Sequence, residues 1–268
     1  MKTWALKVFL CLCLIYSPQL VQEKDGDRVM VLTYHHIDNE GNGVTISEKQ
    51  FAAHMKILKD NNYNVISMDE FLSFVEGKAS VPPRSVLITF DDGYESNYTK
   101  AYPIMKQYGF VGTIFIVVSS TETPNPKNIP HLSWGQLIEL QGNGWAIGSH
   151  TYDLHYMLPT KNGEKPALIT QMNNESFSDY QARIQHDLKK SFLTVERYLD
   201  THQPIFAFPY GAYNDTVVQT GKDVGIRYFF TTQEGFALPG QTLIPRINAG
   251  SPTITPEILL SKLQKYEK

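Results

Sequence analysis

From Arg28 to Tyr266 short apolar runs alternate with segments of helical periodicity, and no other feature of the chain narrows its fold as far. Arg28 to Tyr34, Ser85 to Phe90, Phe110 to Val118, Ala146 to Ser149, Ile205 to Phe208 and Tyr228 to Thr231 read as strands. Ser47-Glu48-Lys49-Gln50 and Ser67-Met68-Asp69-Glu70 are capping-box signatures, each followed by apolar residues at helical spacing. Further helices are expected from about Ser96 to Gln107, Ser133 to Leu140, Asp179 to Leu199, Asp215 to Val224 and Pro256 to Tyr266. Such alternation predicts an α/β fold, a single-domain, distorted or incomplete (β/α) barrel, with a doubly wound open sheet as the alternative. No GxGxxG follows the first strand, which counts against dinucleotide binding.

The length, 268 residues, suffices for one large domain. With a net charge of −3 the chain offers no basic face for nucleic acid. Lys2 and Lys7 flank the start of an apolar run from Val8 to Tyr16, closed by Ser17-Pro18. That run is short for a membrane span and suits the core of a signal peptide. No small-x-small cleavage site stands out, so an uncleaved anchor is the second reading. Residues 1–22 are thus expected to be a signal peptide or N-terminal anchor, with the folded domain over 28–268. The chain is expected to be secreted or extracytoplasmic, with an anchored form tied to the membrane or cell surface. Cys11 and Cys13, the only cysteines, fall in this segment, which leaves the rest without a disulfide framework or a cysteine metal site.

Four strand ends carry the residues suited to chemistry. Thr89-Phe90-Asp91-Asp92-Gly93 closes the second strand, and Gly93 permits a turn that brings both acids to one rim. Two close carboxylates destabilise each other unless a cation neutralises one; an exposed Asx turn is the plainer alternative. Gly148-Ser149-His150-Thr151-Tyr152-Asp153-Leu154-His155 follows another strand. Histidines five apart lie about 140° apart on a helix, so they share a metal only from a loop. Two His and one Asp suit Zn2+ with open positions for water. Phe208-Pro209-Tyr210-Gly211 forms a sharp bend whose outward N–H groups can bind an oxyanion. In Tyr34-His35-His36-Ile37 either histidine has a pKa suited to general acid work.

In this order the four segments resemble the NodB-homology polysaccharide deacetylases (carbohydrate esterase family 4), over about Met30 to Asn248. The resemblance implies that Asp91 is the catalytic base and that Asp92, His150 and His155 bind one divalent metal ion. It also implies that the Tyr210 N–H holds the oxyanion. Three departures narrow it. The metal histidines are five apart rather than four. Ala207 stands where many members have an arginine, and no histidine follows His202 to supply a C-terminal general acid. The pattern is similar to the branch acting on poly-N-acetylglucosamine, in which an N-terminal Tyr-His motif supplies the acid, here His35. The implied partner is an N-acetylglucosamine-containing polysaccharide, with peptidoglycan or chitin oligomers as alternatives. In place of the missing arginine, Arg246 in Ile244-Pro245-Arg246-Ile247-Asn248 is expected to reach the same rim and orient Asp91.

A glycoside hydrolase also uses paired acids, but they stand about 5–9.5 Å apart across a sugar, which adjacent Asp91 and Asp92 do not suit. A carbohydrate-binding module without turnover would be expected to lack one of the base, the ligands or the acid. Tyr156 to Phe177 is expected to be a surface insertion bordering the cleft.

Overall fold

The structure, a computed structural model, describes residues 26–267 except Asn42 and His202; the expected signal or anchor segment lies outside the described residues. The chain opens with β1 (Val29–Tyr34), then β2 (His36–Ile37) and β3 (Thr45–Ile46), which pair with each other. Next come α1 (Glu48–Asp60), β4 (Asn64–Val65), α2 (Met68–Val75) and β5 (Ser85–Phe90). A π-turn over Asn97–Ala101 runs into α3 (Tyr102–Lys106), so the helix expected there begins with a wider turn. After it lie β6 (Thr113–Ile116), α4 (Val118–Glu122), α5 (Trp134–Gly142) and β7 (Ala146–Ser149). A hairpin of β8 (Met157–Thr160) and β9 (Gly163–Pro166) precedes the long α6 (Phe177–Leu199). Then follow β10 (Ile205–Ala207), α7 (Asp215–Asp223), β11 (Tyr228–Phe230), β12 (Leu243–Ile244), β13 (Ile247–Asn248) and α8 (Pro256–Lys265).

Nine strands form one parallel sheet in the order β12-β11-β10-β7-β6-β5-β1-β13, with β4 also on β5. β4 pairs with the start of β5 (Ser85, Val86) and β6 with its end (Thr89, Phe90), so both lie along one strand. The edge strands β12 and β13 are separated only by Pro245 and Arg246. The sheet therefore curls until its two edges meet at that break, and the doubly wound alternative is excluded. Proline has no N–H for a ladder, and the Arg246 N–H donates instead to the Gln233 carbonyl at 2.8 Å. The result is an incomplete barrel.

Side chains alternate across each strand. Val29, Val31, Leu87, Phe115, Ala207, Phe230 and Ile244 belong to one buried cluster, shared with Phe71 and Phe74 of α2. Met30, Leu32, Val86, Ile88, Ile114 and Ile147 belong to another, with α1, α3, α5 and α8. Phe206 and Phe229 meet α6 and α7. Each such buried side chain contributes about 1.5–3 kcal/mol. Because both faces of β1 and β5 are covered, all twelve of their residues are buried.

Tertiary contacts reshape one expected cap. Ser67 and Glu70 make the full capping box at α2. At α1, Ser47 accepts from the Gln50 N–H at 3.2 Å, but the Gln50 amide donates to the Pro252 and Ile254 carbonyls ahead of α8. Packing of α8 on α1 takes that side chain away from its own helix end.

Candidate active site

Parallel strands bring the C-terminal ends of β1, β5, β7 and β10 and the β12–β13 break to one rim. The Asp91 N–H donates to the Tyr34 carbonyl at 2.9 Å, so the β1–β5 ladder extends as far as the first acid. Asp91 continues the alternation of Leu87 and Thr89 on the interior face. Asp92 leaves it, with φ 71°, a conformation Asp tolerates, and Gly93 follows at φ 73°. A Cβ on Gly93 would stand 2.8 Å from Ile116 Cγ2, so the turn needs glycine for space as well as for conformation.

Arg246 enters the same interior. Its Nη1 and Nη2 donate to Asp91 Oδ1 and Oδ2 at 2.7 and 2.8 Å, while Nε donates to the Thr231 carbonyl at 2.9 Å. Asp91 and Arg246 are 3% and 2% exposed, so this is a desolvated, two-pronged ion pair. Burial alone would raise the Asp91 carboxyl, but Arg246 and the nearby His150 hold it below its ordinary value.

Asp92, His150 and His155 offer three ligand atoms within 4.8 Å of one another. His155 Nε2 and His150 Nε2 lie 3.1 and 3.5 Å from Asp92 Oδ1. Even so, that buried oxygen has no hydrogen-bond partner of acceptable geometry among the described residues. His150 Nδ1 is 2.8 Å from the Ala207 carbonyl, which can only accept, so Nδ1 carries a proton and Nε2 is the ring nitrogen placed to serve as a metal ligand. Two ring nitrogens and a carboxylate oxygen this close together fit a cation between them, and the donor set suits a divalent metal. Burial would raise the Asp92 carboxyl, yet the two imidazoles hold it well below its ordinary value; Asp92 in turn outweighs burial and pushes His155 up.

Of the two adjacent histidines, His35 is the one beside the acids, with Nε2 3.9 Å from Asp91 Oδ2. Burial lowers its pKa, against the pull of Asp91 and Asp92. His36 Nδ1 instead meets Thr45 Oγ1 at 3.2 Å. The π-turn fixes this corner: Asn97 Nδ2 donates to the His35 carbonyl at 2.8 Å, and the Ile37 N–H donates to Ser96 Oγ at 3.0 Å. Tyr210 sits at φ 57°, and its ring lies 4.6 Å from that of His155. The turn's backbone bonds run from Gly211 to Phe208 and from Ala212 to Pro209, without the Tyr210 N–H.

All seven residues singled out from the sequence thus meet at one rim: His35, Asp91, Asp92, His150, His155, Tyr210 and Arg246. Others went unnoticed. Tyr94 and His131 face each other across a short bridge, ring centroids 5.0 Å apart. Burial and then Asp92 push the Tyr94 phenol up, while burial outweighs Asp92 and lowers His131. Tyr94 directly follows the acidic motif, which was a usable signal; His131 is distant in sequence and offered none. The third is Asp187, on the buried side of α6. A carboxylate among Tyr180, Ile184 and Leu188 was the available clue.

An incomplete parallel barrel with paired acids and a histidine pair at its C-terminal rim defines the class of carbohydrate esterases that deacetylate polysaccharides. The family model described as polysaccharide deacetylase matches residues 78–229, and the chain belongs to that family. It is similar to the poly-beta-1,6-N-acetyl-D-glucosamine N-deacetylase of Staphylococcus epidermidis, 32% identical over 76% of this chain and 67% of that one. The protein of the same name in Staphylococcus aureus is 29% identical over 86% of this chain and 81% of that one. Among solved structures, a de-N-acetylase from Aggregatibacter actinomycetemcomitans superposes with a TM-score of 0.81 at 27% identity, covering 88% of this chain and all (100%) of that one.

Proposed function

We propose that this chain hydrolyses the acetamido groups of N-acetylglucosamine units in an extracytoplasmic poly-N-acetylglucosamine, using one divalent metal ion. The observation that carries the reading is the pairing of Asp91, held by Arg246 and flanked by His35, with the adjacent Asp92–His150–His155 cluster. The staphylococcal relatives' names support the polymer, and the apolar segment from Val8 to Tyr16 supports the location.

An amide is a weak electrophile and an amine a poor leaving group, so hydrolysis needs an activated water, a stabilised oxyanion and a proton for nitrogen. A divalent ion held by Asp92, His150 and His155 would supply Lewis acidity and lower the pKa of water. Zn2+ suits imidazole and carboxylate donors, and the same set accepts Fe2+, Co2+ or Ni2+. Asp91, kept ionised by Arg246, accepts the proton of the attacking water. The Tyr210 N–H, free of its own turn, donates to the developing oxyanion. His35, beside Asp91 at 3.9 Å, protonates the departing sugar amine. Acetate leaves, the unit stays in the polymer as glucosamine, and the proton held by Asp91 returns to solvent as His35 is reprotonated.

The test is acetate release from defined N-acetylglucosamine polymers, chitin oligomers and peptidoglycan, with the enzyme stripped of metal and then reloaded. Acetate from the first substrate, lost on stripping and regained on reloading, is the expected result. Release of reducing ends without acetate would overturn the reading.

A further inference from the structure

The two histidines of the metal cluster sit on an irregular loop, and that loop is gripped by helix α6. Asp187 accepts the Tyr152 N–H on Oδ1 at 2.9 Å and the Asp153 N–H on Oδ2 at 2.8 Å. One turn further on, Ser191 Oγ meets Ser149 Oγ at 2.6 Å, immediately before His150. Between these anchors Thr151 has φ 81°, a genuine outlier for a β-branched residue, which survives only where its surroundings enforce it. The Thr151 carbonyl accepts from the Val118 N–H at 3.2 Å, so the opposite side of the loop is held by α4.

Asp187 is 6% exposed, and its partners here are amides rather than a cation. Burial pushes its carboxyl up to about 6, with the two amide bonds acting against that rise. A buried carboxylate is an expensive way to fill space on the apolar side of a helix. Successive N–H groups next to a left-handed residue form a small anion-binding concavity. Two converging donors match the two oxygens of a carboxylate, whereas a serine or an asparagine would satisfy one.

We propose that Asp187 is a positioning residue for the metal site: by filling the concavity of the loop it sets the separation and aim of His150 and His155. The two ligands lie five positions apart, where a helical turn would not bring both to one point. Its shape is not set by a regular ladder, so groups outside it must set it, and Asp187 is the one that holds two of its successive N–H groups. This rests on the reading that Asp92, His150 and His155 hold a divalent ion.

The experiment compares the wild-type chain with Asp187→Asn, which keeps shape but turns an amide NH2 towards one of the two N–H donors. Metal-free proteins are titrated with Zn2+ against a chromophoric chelator, and with Co2+ while the visible spectrum is read. Partner groups behind metal ligands typically change affinity by about 10–100-fold. Asp187→Asn is expected to weaken metal binding in that range and to alter the Co2+ absorption envelope. KM is expected to stay unchanged, with turnover largely recovered in excess metal. Metal affinity within about twofold of wild type, with an unchanged Co2+ spectrum, would overturn the proposal. A wild-type chain that binds neither ion would overturn the metal reading and this proposal with it. If Asp187→Asn fails to fold, amide exchange in the metal-free wild type decides. Slow exchange at Tyr152 and Asp153 is expected, and fast exchange at both would overturn the idea.

Discussion

Arg246 reaches Asp91 from within the break that closes the barrel, 155 positions away in sequence, and grips both carboxylate oxygens at 2.7 and 2.8 Å. The family's usual arginine is missing from its own motif, where this chain has Ala207. Arg246 enters the interior at the rim and meets Asp91 from a different element. A carboxylate that must accept a proton has to be aimed, and misplacement by about 1 Å can cost on the order of 10²-fold in rate. Arg246→Ala is expected to lower kcat by about that factor while metal content stays normal. Arg246→Lys, lacking the planar fork, should recover only part. Because truncation leaves a buried acid unpaired, the Ala variant should also lose about 3–5 kcal/mol of stability, read by urea unfolding. Unchanged kcat in Arg246→Ala would remove the orienting role.

The adjacent acids should separate by phenotype. Asp92→Ala and His155→Ala empty the cluster of one ligand each and are expected to lose bound metal. Asp91→Asn keeps the three ligands and should retain metal while turnover falls by about 10²–10⁴-fold, the usual contribution of a general base. Metal content by mass spectrometry, alongside acetate release, checks all three variants. An active Asp91→Asn enzyme would remove Asp91 as the base.

The hairpin of β8 and β9 begins two residues after His155, with Tyr156 exposed at its base. Replacing 157–166 by a short Gly-containing turn should weaken hydrolysis of the polymer several-fold and leave a small acetyl ester nearly untouched. Equal losses on both substrates would mean that the hairpin serves the metal loop rather than the polymer.

Acid should weaken the fold through His54. Its side chain is fully buried, between the Tyr34 hydroxyl at 3.1 Å and the Ile254 carbonyl at 2.8 Å. Burial pushes its pKa down to about 4 from an ordinary 6.5. Between those values the unfolded chain binds a proton that the folded chain refuses, so stability is complete above about pH 6.5 and falls as the pH drops towards 4. The loss amounts to up to about 3 kcal/mol. His54→Gln should show a shallower fall of Tm between pH 7 and 4.5 than wild type; parallel curves would rule His54 out as the cause.

Most of the barrel was legible in the sequence, because fully buried parallel strands are short apolar runs and the helices between them carry caps and a 3.6-residue period. The acids and histidines could be assigned to one rim for the same reason: in a parallel barrel every strand's C-terminal end faces the same way. The hairpin after His155 was read only as an insertion, since Met157–Thr160 and Gly163–Pro166 are half-exposed or polar and leave no apolar run. Which of His35 and His36 faces Asp91 was also beyond the residues alone. The alternation of β1 turns His35 inward with Val31 and Thr33, and the Asn97 and Ser96 bonds of a π-turn then hold that corner.

By itself, then, the sequence determined the main strands and helices, their alternation and the strand ends at which chemistry gathers, all of which follow from local period and burial. That Arg246 would orient Asp91 was also expected from the sequence, but only tertiary structure decided the two-pronged geometry of that pair, that Gln50 should leave its own helix cap for the chain ahead of α8, and that Asp187 should fill the loop between His150 and His155. Each of those is a contact between distant segments. Its energy exists only once the sheet has curled and the helices have docked, so no local pattern of residues encodes it.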